Sequence, residues 1–477
     1  MSKKPFTEIQ KEAKDLFDKK AYEACLFYIS QYFTLPEWSD LELSTLYLMM
    51  GNTYASIHKY SESIIYIKKS IRLNSENDAA YCALGNAYRS VHQFKLCQSA
   101  FENAIKLNPS EPYYYLNLGS IFRTLGKVDD AVSSYREMIR LKPDFAMGYR
   151  NLVQSVKYES TDNEEFRALN KLLDNGEISQ NQKMHCHYAL GKIMHDSRLY
   201  DQAFEHFSEA NHLRSQKYTR QRQDIESLVE RYIQIFTPDF FLNTPRGVAS
   251  KTPIFIIGLP RSGKTLLQKI LCCDPRFAGL DELNLIDSML NQLKLSSSYQ
   301  INQSVVRERL SKDNLIAMGH HYLEETRERL PELMIKTIDT TPYHFKYLGM
   351  INLIFPNAKI IHVKRNPYDN CLQIYMKYFV SGNFYTYDLD ALAEYFQQYL
   401  RLMKHWERVL PADMMDLNYE DIVKDSSQVA SSIFSFLELE MHPSFESNLR
   451  KIDIHQDEIG QWMHYESYLE KHLKIYR

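Results

Sequence analysis

The chain has 477 residues, 44% of them hydrophobic, which suggests two or three domains that each bury a core. Its formal net charge of −3 gives no support to nucleic-acid binding or to a polybasic membrane surface. Seven scattered cysteines without a Cys-x-x-Cys pair, a start with no signal-peptide core and no run near the ~18 apolar residues of a membrane span fit a soluble, cytoplasmic protein with reduced thiols and no metal site.

In chain order, the first strong signal is a repeat. Gly51, Gly85 and Gly119 stand 34 residues apart. The same register gives Tyr54, Tyr88 and Phe122, then Tyr60, Phe94 and Val128, then Ser63, Cys97 and Ala131, then Ile67, Phe101 and Tyr135. Pro109 and Pro143 close two of the units. Period and pattern are those of the tetratricopeptide repeat. Small residues let two antiparallel helices approach, aromatics fill the space between units, and proline ends the second helix. Residues 5–38 read as a further unit with Ala13, Tyr22 and Cys25. Residues 146–183 begin like one but lose the pattern around Ser160–Asn163. It returns at His187–Gly191, with Tyr200, Ala203, Phe207 and Ala210. An α-solenoid over 1–214 is expected. It serves either as a concave surface for an extended peptide or as a scaffold for the second half, and its tyrosines are read as core.

Residues 215–250 read as a helical linker. Ile225–Phe236 has a helical period, and Asn243–Gly247 forms a turn-rich connector.

From 251 onward the pattern changes. The stretches 253–258, 333–338 and 359–363 are short, apolar and rich in β-branched residues, with helical patterns between them. Alternation of strand and helix predicts an α/β domain with a parallel sheet, and ligands sit beyond the carboxyl ends of such strands. Three ends then matter: Gly258 onward, Asp339 and Arg365. The short stretch Phe277–Leu280 is expected to run beside the first strand, which places Glu282 at the same edge. A carboxylate there is a candidate general base, or else a helix N-cap pair with Asp281. Arg365 ends a buried strand, where an unpaired charge is costly. It must meet an anion or pair with a carboxylate such as Asp369.

The loop after the first strand fits two signatures. Gly258, Gly263, Lys264 and Thr265 have the Walker A spacing of nucleotide triphosphatases. Pro260, Arg261, Ser262, Gly263 and Thr265 fit the Pro-Arg-Ser-Gly-x-Thr loop of sulfotransferases. Both are phosphate cradles, in which glycines let successive N–H groups face one anion and the following helix adds its positive end.

Further segments in order carry a resemblance. They include Tyr188–Lys192, Ala203–Phe207, Gly279–Glu282, Phe355–His362, Arg365–Pro367, Asp388–Leu392, Leu402–Trp406, Leu410–Pro411, Asn418–Asp421 and Gly460–Trp462. With the loop, they make the chain similar to bacterial tetratricopeptide-repeat sulfotransferases, within the superfamily that uses 3′-phosphoadenosine-5′-phosphosulfate (PAPS), and more distantly to protein-tyrosine sulfotransferases. The resemblance implies a P-loop-like sulfotransferase domain over 251–477. Residues 260–265, among them Pro260, Arg261, Ser262, Gly263, Lys264 and Thr265, would hold the 5′-phosphosulfate. Arg261 would also act in catalysis, Arg365 would hold the 3′-phosphate, and Glu282 would take the acceptor's proton, with no metal required. The acceptor would be a hydroxyl or amine, on a peptide or protein that the repeats present.

Four departures accompany it. Lys264 replaces the loop's usual threonine. Gln373 stands where a serine helps to bind the 3′-phosphate. Thr340 replaces a lysine after Asp339. The stretch before Gly460 is short and lacks the family's nucleotide-binding arginine, with Lys451 and His455 nearby but unmatched. Two other readings therefore stay open. One is a P-loop kinase or NTPase in which Lys264, Thr265 and Asp339 serve ATP and magnesium. The other is a non-catalytic interaction protein with a degenerate sulfotransferase domain.

Overall fold

In a computed structural model, residues 4–33, 38–216, 225–280, 282–296, 301–328, 335–380, 382–454 and 458–473 are described. The chain forms two compact units, Met1–Ala210 and Asn211–Arg477. The boundary falls inside the helix Tyr200–Ser215, four residues before the position expected from the sequence.

The first unit is a series of helix pairs. Phe6–Asp18 precedes Tyr22–Ser30, Asp40–Ser56 precedes Tyr60–Leu73, Asp78–Ser90 precedes Phe94–Leu107, and Pro112–Thr124 precedes Val128–Leu141. The 34-residue register has a packing cause. A Cβ at Gly51 would lie 2.5 Å from Ile67, at Gly85 2.9 Å from Phe101, and at Gly119 2.7 Å from Tyr135. Each unit thus places a bare backbone against the large side chain sixteen positions later. Phe101 and Tyr135 are fully buried. Where the pattern fails, so does the regular pair. Ala146–Val153 is followed by an irregular stretch before Glu164–Asp174, whose N-cap Asn163 accepts the Phe166 N–H at 2.8 Å. Regular pairing resumes with Gln180–Asp196, opened by a Ser179–Gln182 capping box.

The second unit is built on a five-stranded parallel sheet: β1 Pro253–Ile257, β2 Phe277–Gly279, β3 Lys336–Asp339, β4 Lys359–Lys364 and β5 Met414–Asn418, in the order β2-β3-β1-β4-β5. Every residue of β1 is buried, as a parallel strand covered on both faces requires. Ile254 and Ile256 enter one core with Leu267, Ile270, Ile422 and Phe434. Phe255 faces the other way, its ring 5.4 to 6.3 Å from those of His344, Tyr322 and Phe355.

Three sequence expectations change, and one unforeseen strand is added. The stretch Phe277–Leu280 does not run beside β1. Its strand β2 pairs with β3, and β3 lies between β2 and β1. The expected strand 333–338 is β3, Lys336–Asp339, with 333 and 334 outside the described residues. β5 was not foreseen, because Met414–Asn418 is short and only partly buried. Residues 225–250 form more than a linker within the second unit. Helix Ile225–Ile235 buries five residues, and Phe236 packs on Trp406 while its carbonyl accepts from His405 Nε2 at 2.8 Å.

Candidate functional site

The strand order reverses between β1 and β4, the place where open α/β sheets form a ligand crevice. The loop after β1 and the end of β4 meet there. Gly258 has φ +146°, and a Cβ would lie 2.5 Å from the Val363 carbonyl oxygen. Arg261, a non-glycine residue, is held at φ +65°. Gly263 has φ +104°, and a Cβ there would overlap the Tyr419 ring. The helix Lys264–Leu271 starts at once, with Gly263 as N-cap, so its first N–H groups, which have no intrahelical partner, open toward the loop.

Side chains then lock this loop. Lys264 is only 6% exposed, and its Nζ donates to the carbonyls of Gly258 and Leu259, both at 2.8 Å. Burial lowers its pKa to about 7, against the opposing charge of Glu282. The lysine therefore ties the turn from inside. Asn370 donates to the Pro260 carbonyl at 2.9 Å, which fastens the loop to the helix Pro367–Tyr375. Thr265 is exposed.

Arg365 leaves β4 with its side chain 2% exposed. Its Nη1 donates to the Arg261 carbonyl at 3.1 Å, its Nη2 to the Glu458 carbonyl at 2.7 Å, and its Cζ lies 4.2 Å from the Tyr419 ring centroid. The Glu458 carboxylate joins both arginines: Oε2 is 3.4 Å from Arg365 Nη1 and Oε1 is 3.6 Å from Arg261 Nη2. The sequence offered Asp369 as the ion-pair alternative for Arg365. The observed ion-pair partner is Glu458. Asp369 instead accepts the N–H groups of Gly460 at 2.7 Å and Trp462 at 3.0 Å, and burial raises its pKa. Trp462 stacks on Tyr368 at 4.8 Å. Gln373 uses both ends of its amide within the protein, accepting from Arg261 at 3.0 Å and donating to Gln461 at 3.0 Å.

A cavity of about 460 Å³ adjoins this cluster, lined by Ser262, Arg365, Asn366, Asn370, Tyr399 and Glu420 among others. Ser262 Oγ and Arg365 Nε are buried without a hydrogen-bond partner. Buried polar atoms of this kind are uncommon and costly. Two glycine positions that reject a Cβ, a helix start and two orphan donors together fit a phosphate-bearing ligand.

Glu282 is exposed, three residues ahead of the helix Leu285–Gln292. Asn284 holds the N-cap position of that helix, so Glu282 does not cap it; Asp281 lies outside the described residues. The Glu282 charge is felt at Lys264 and at Tyr343, whose pKa is raised to about 12 by burial first and Glu282 second. Tyr343 donates to Asn383 Oδ1 at 2.8 Å, as Tyr385 does at 3.0 Å, and Tyr385 stacks on Tyr395 at 3.6 Å.

Asp339 is fully buried. It accepts from Tyr322 at 2.9 Å and from the Thr341 N–H and hydroxyl at 3.0 and 2.7 Å. Thr340 donates to Gln268. An aspartate held by three protein donors supports the sheet end and is poorly placed for a Walker-type magnesium site. Among the described residues there is no group of three or more His, Cys, Asp or Glu that could hold a metal, and no helix long and apolar enough to cross a membrane.

Sequence reading missed Glu458, Tyr419, Asn370 and Tyr343. Tyr419 lay inside the quoted segment Asn418–Asp421, and Asn370 lies five positions after Arg365, in the helix that follows it. Nothing near Glu458 in the sequence marks it, because its partners are 93 and 197 positions away.

Comparison with known proteins gives a match to each unit. Residues 253–443 match the sulfotransferase family, and residues 44–77, 78–111 and 112–145 match the tetratricopeptide repeat. An uncharacterized protein of Aquifex aeolicus (strain VF5) is 26% identical over 348 residues, 68% of this chain and 45% of that protein. A putative protein-tyrosine sulfotransferase of Caenorhabditis briggsae is 24% identical over 187 residues, 39% of this chain and 65% of that one. The chain thus spans between about half and two thirds of the length of these relatives. Among solved structures, MamA is 19% identical with a TM-score of 0.29, covering 43% of this chain and 96% of its own. YrrB, described as a TPR protein with an unusual peptide-binding site, is 22% identical with a TM-score of 0.29, covering 36% and 92%. The sulfotransferase match spans the sheet and its loop, and the repeat match lies wholly in the first unit, so the chain is similar to sulfotransferases over 253–443 and to tetratricopeptide repeats over 44–145.

Proposed function

We propose that the second unit transfers a sulfuryl group from PAPS to a hydroxyl or amine acceptor. The observation that carries this reading is the convergence of Arg261 and Arg365, from the loop after β1 and the end of β4, on one anionic group. Arginine's planar fork suits phosphate and sulfate oxygens. PAPS supplies the sulfuryl group. The chain's own residues would do the rest. The backbone of 260–265, with Arg261 and Thr265, would hold the 5′-phosphosulfate, and Arg365 the 3′-phosphate. Glu282 would accept the acceptor's proton. Lys264, held by two loop carbonyls, would keep the cradle in shape. Catalysis would then be chiefly positioning and charge stabilisation, as in phosphoryl transfer. The acceptor would be a peptide or protein that the repeats present. The C. briggsae relative, named for protein tyrosine, supports that choice, and a cytoplasmic setting would suit the seven free cysteines.

Calorimetry tests the donor: 3′,5′-ADP without metal should bind, and Arg365→Ala should lose that binding. Magnesium-dependent ATP binding in its place would move the chain to the kinase reading. The commitment of both Gln373 amide ends and the seating of Glu458 on the arginines favour a second reading, an interaction protein with a silent nucleotide site. Enzyme-like transfer to any acceptor would end that reading.

A further inference from the structure

We infer that Glu458 is an internal anion: its carboxylate occupies Arg261 and Arg365 in place of the ligand phosphate groups that each would hold, and it must be displaced for the donor site to fill. The identity of the displaced ligand rests on the sulfotransferase reading above, but the competition itself does not.

Three observations carry this. First, one carboxylate spans both arginines, Oε1 toward Arg261 and Oε2 toward Arg365, with Tyr419 donating to Oε2 at 3.4 Å. An oxyanion held between two guanidinium groups and a phenol imitates a bound phosphate edge. Second, the Glu458 side chain is 33% exposed and that of Arg261 38%, while that of Arg365 is 2% exposed. The arginine at the base of the site is fixed and the carboxylate lies on the open side, so the carboxylate can move without unpacking a core. Third, the chain beyond it is anchored separately. Asp369 holds the N–H groups of Gly460 and Trp462, and Gly460 has φ +74°. A turn residue in the left-handed region two positions after Glu458 lets the chain change direction there. Displacing Glu458 therefore leaves the Trp462–Tyr368 stack in place.

The effect is a threshold. A ligand pays for opening the closed form, so its apparent affinity is reduced by the fraction of open molecules. A dianionic phosphate outcompetes the carboxylate more readily than a monoanion, which makes the pair selective by charge.

The test uses the full chain, with metal-free calorimetry of 3′,5′-ADP and of inorganic pyrophosphate on the wild type and on Glu458→Gln, which keeps shape and removes charge. Thermal unfolding confirms that the variant is folded. Both ligands should bind at least about tenfold more tightly to the variant, the scale of one charge-assisted hydrogen bond. Unchanged or weaker pyrophosphate binding overturns the inference and makes Glu458 a residue that positions the arginines. Absence of pyrophosphate binding to both proteins overturns it as well, because an arginine pair relieved of its carboxylate should take an anion. If pyrophosphate tightens while 3′,5′-ADP binds neither protein, the internal anion stands and the donor reading falls. If the wild type binds 3′,5′-ADP and the variant shows no gain with pyrophosphate, the donor reading stands and the internal anion falls.

Discussion

Gly85 and Gly263 both exclude a Cβ, and the contrast between them separates the two units. Gly85 lies inside a helix, and its crowding neighbour is Phe101, sixteen positions later in the same repeat. Gly119 with Tyr135 and Gly191 with Phe207 repeat that spacing. Gly263 has a left-handed φ, and its neighbour Tyr419 comes from β5's far end. The repeat unit thus gains its packing from contacts within one supersecondary unit, which neighbouring copies extend. The second unit shapes a loop with residues gathered from the ends of distant strands, Val363 of β4 and Tyr419 after β5. The first kind of contact writes a period into the sequence, and the second does not.

Four experiments break or sharpen that contrast. The largest effect is expected at Glu282. Glu282→Gln should lower sulfuryl transfer by about 10²- to 10⁴-fold, the usual worth of a general base, with an unchanged melting temperature because the side chain is exposed. Steady-state assay with PAPS and a tyrosine-containing peptide, beside a thermal melt, checks it. Full activity would remove Glu282 from the chemistry.

Next comes the repeat core. Phe101 is fully buried against Gly85, so Phe101→Ala should cost about 3–5 kcal/mol by denaturant unfolding. The exposed Tyr113, mutated to alanine, should cost less than about 1 kcal/mol. Equal losses would mean that the period does not mark the core.

Lys264 follows. Removing its amine leaves the Gly258 and Leu259 carbonyls without this donor, so Lys264→Ala should destabilise the second unit by about 1–3 kcal/mol. If the variant instead keeps full stability and loses ATP binding, the lysine is a Walker lysine.

The smallest effect concerns acid. Asp416 is held down to about 2 by its hydrogen bond to His362 first, then that to Lys364, from a usual value of 3.8. Its folded value lies below its unfolded one, so the link between β4 and β5 contributes stability above about pH 4 that is lost as pH falls toward 2. Partial exposure screens this pair. Asp416→Asn should flatten that acid limb in a pH series of melting temperatures, and an unchanged limb would assign it to other carboxylates.

Much of the architecture was legible from residues close in sequence. The Gly51–Gly85–Gly119 register announced the solenoid because the packing partners share one 34-residue unit. The run Pro253–Thr265 announced a strand, a glycine-bearing turn and a helix start because these are contiguous. Arg365 is a buried strand-end charge paired with a carboxylate, one of the two options open from the sequence, but the partner differs from the one offered there. Asp369, four positions away, was the obvious carboxylate by proximity, and Glu458 took the role through the fold.

What the sequence determined by itself is therefore the local vocabulary: helical repeats, a glycine cradle, parallel strands with charged ends. Only the tertiary structure decided that β3 separates β2 from β1, that Met414–Asn418 completes the sheet, that Gln373 faces Arg261 and Gln461, and that one carboxylate bridges the two arginines. The physical reason is range. Backbone conformation and close packing within a repeat are set by neighbours along the chain. Strand order and the pairing of charges at a crevice are set by which distant segments can be buried together.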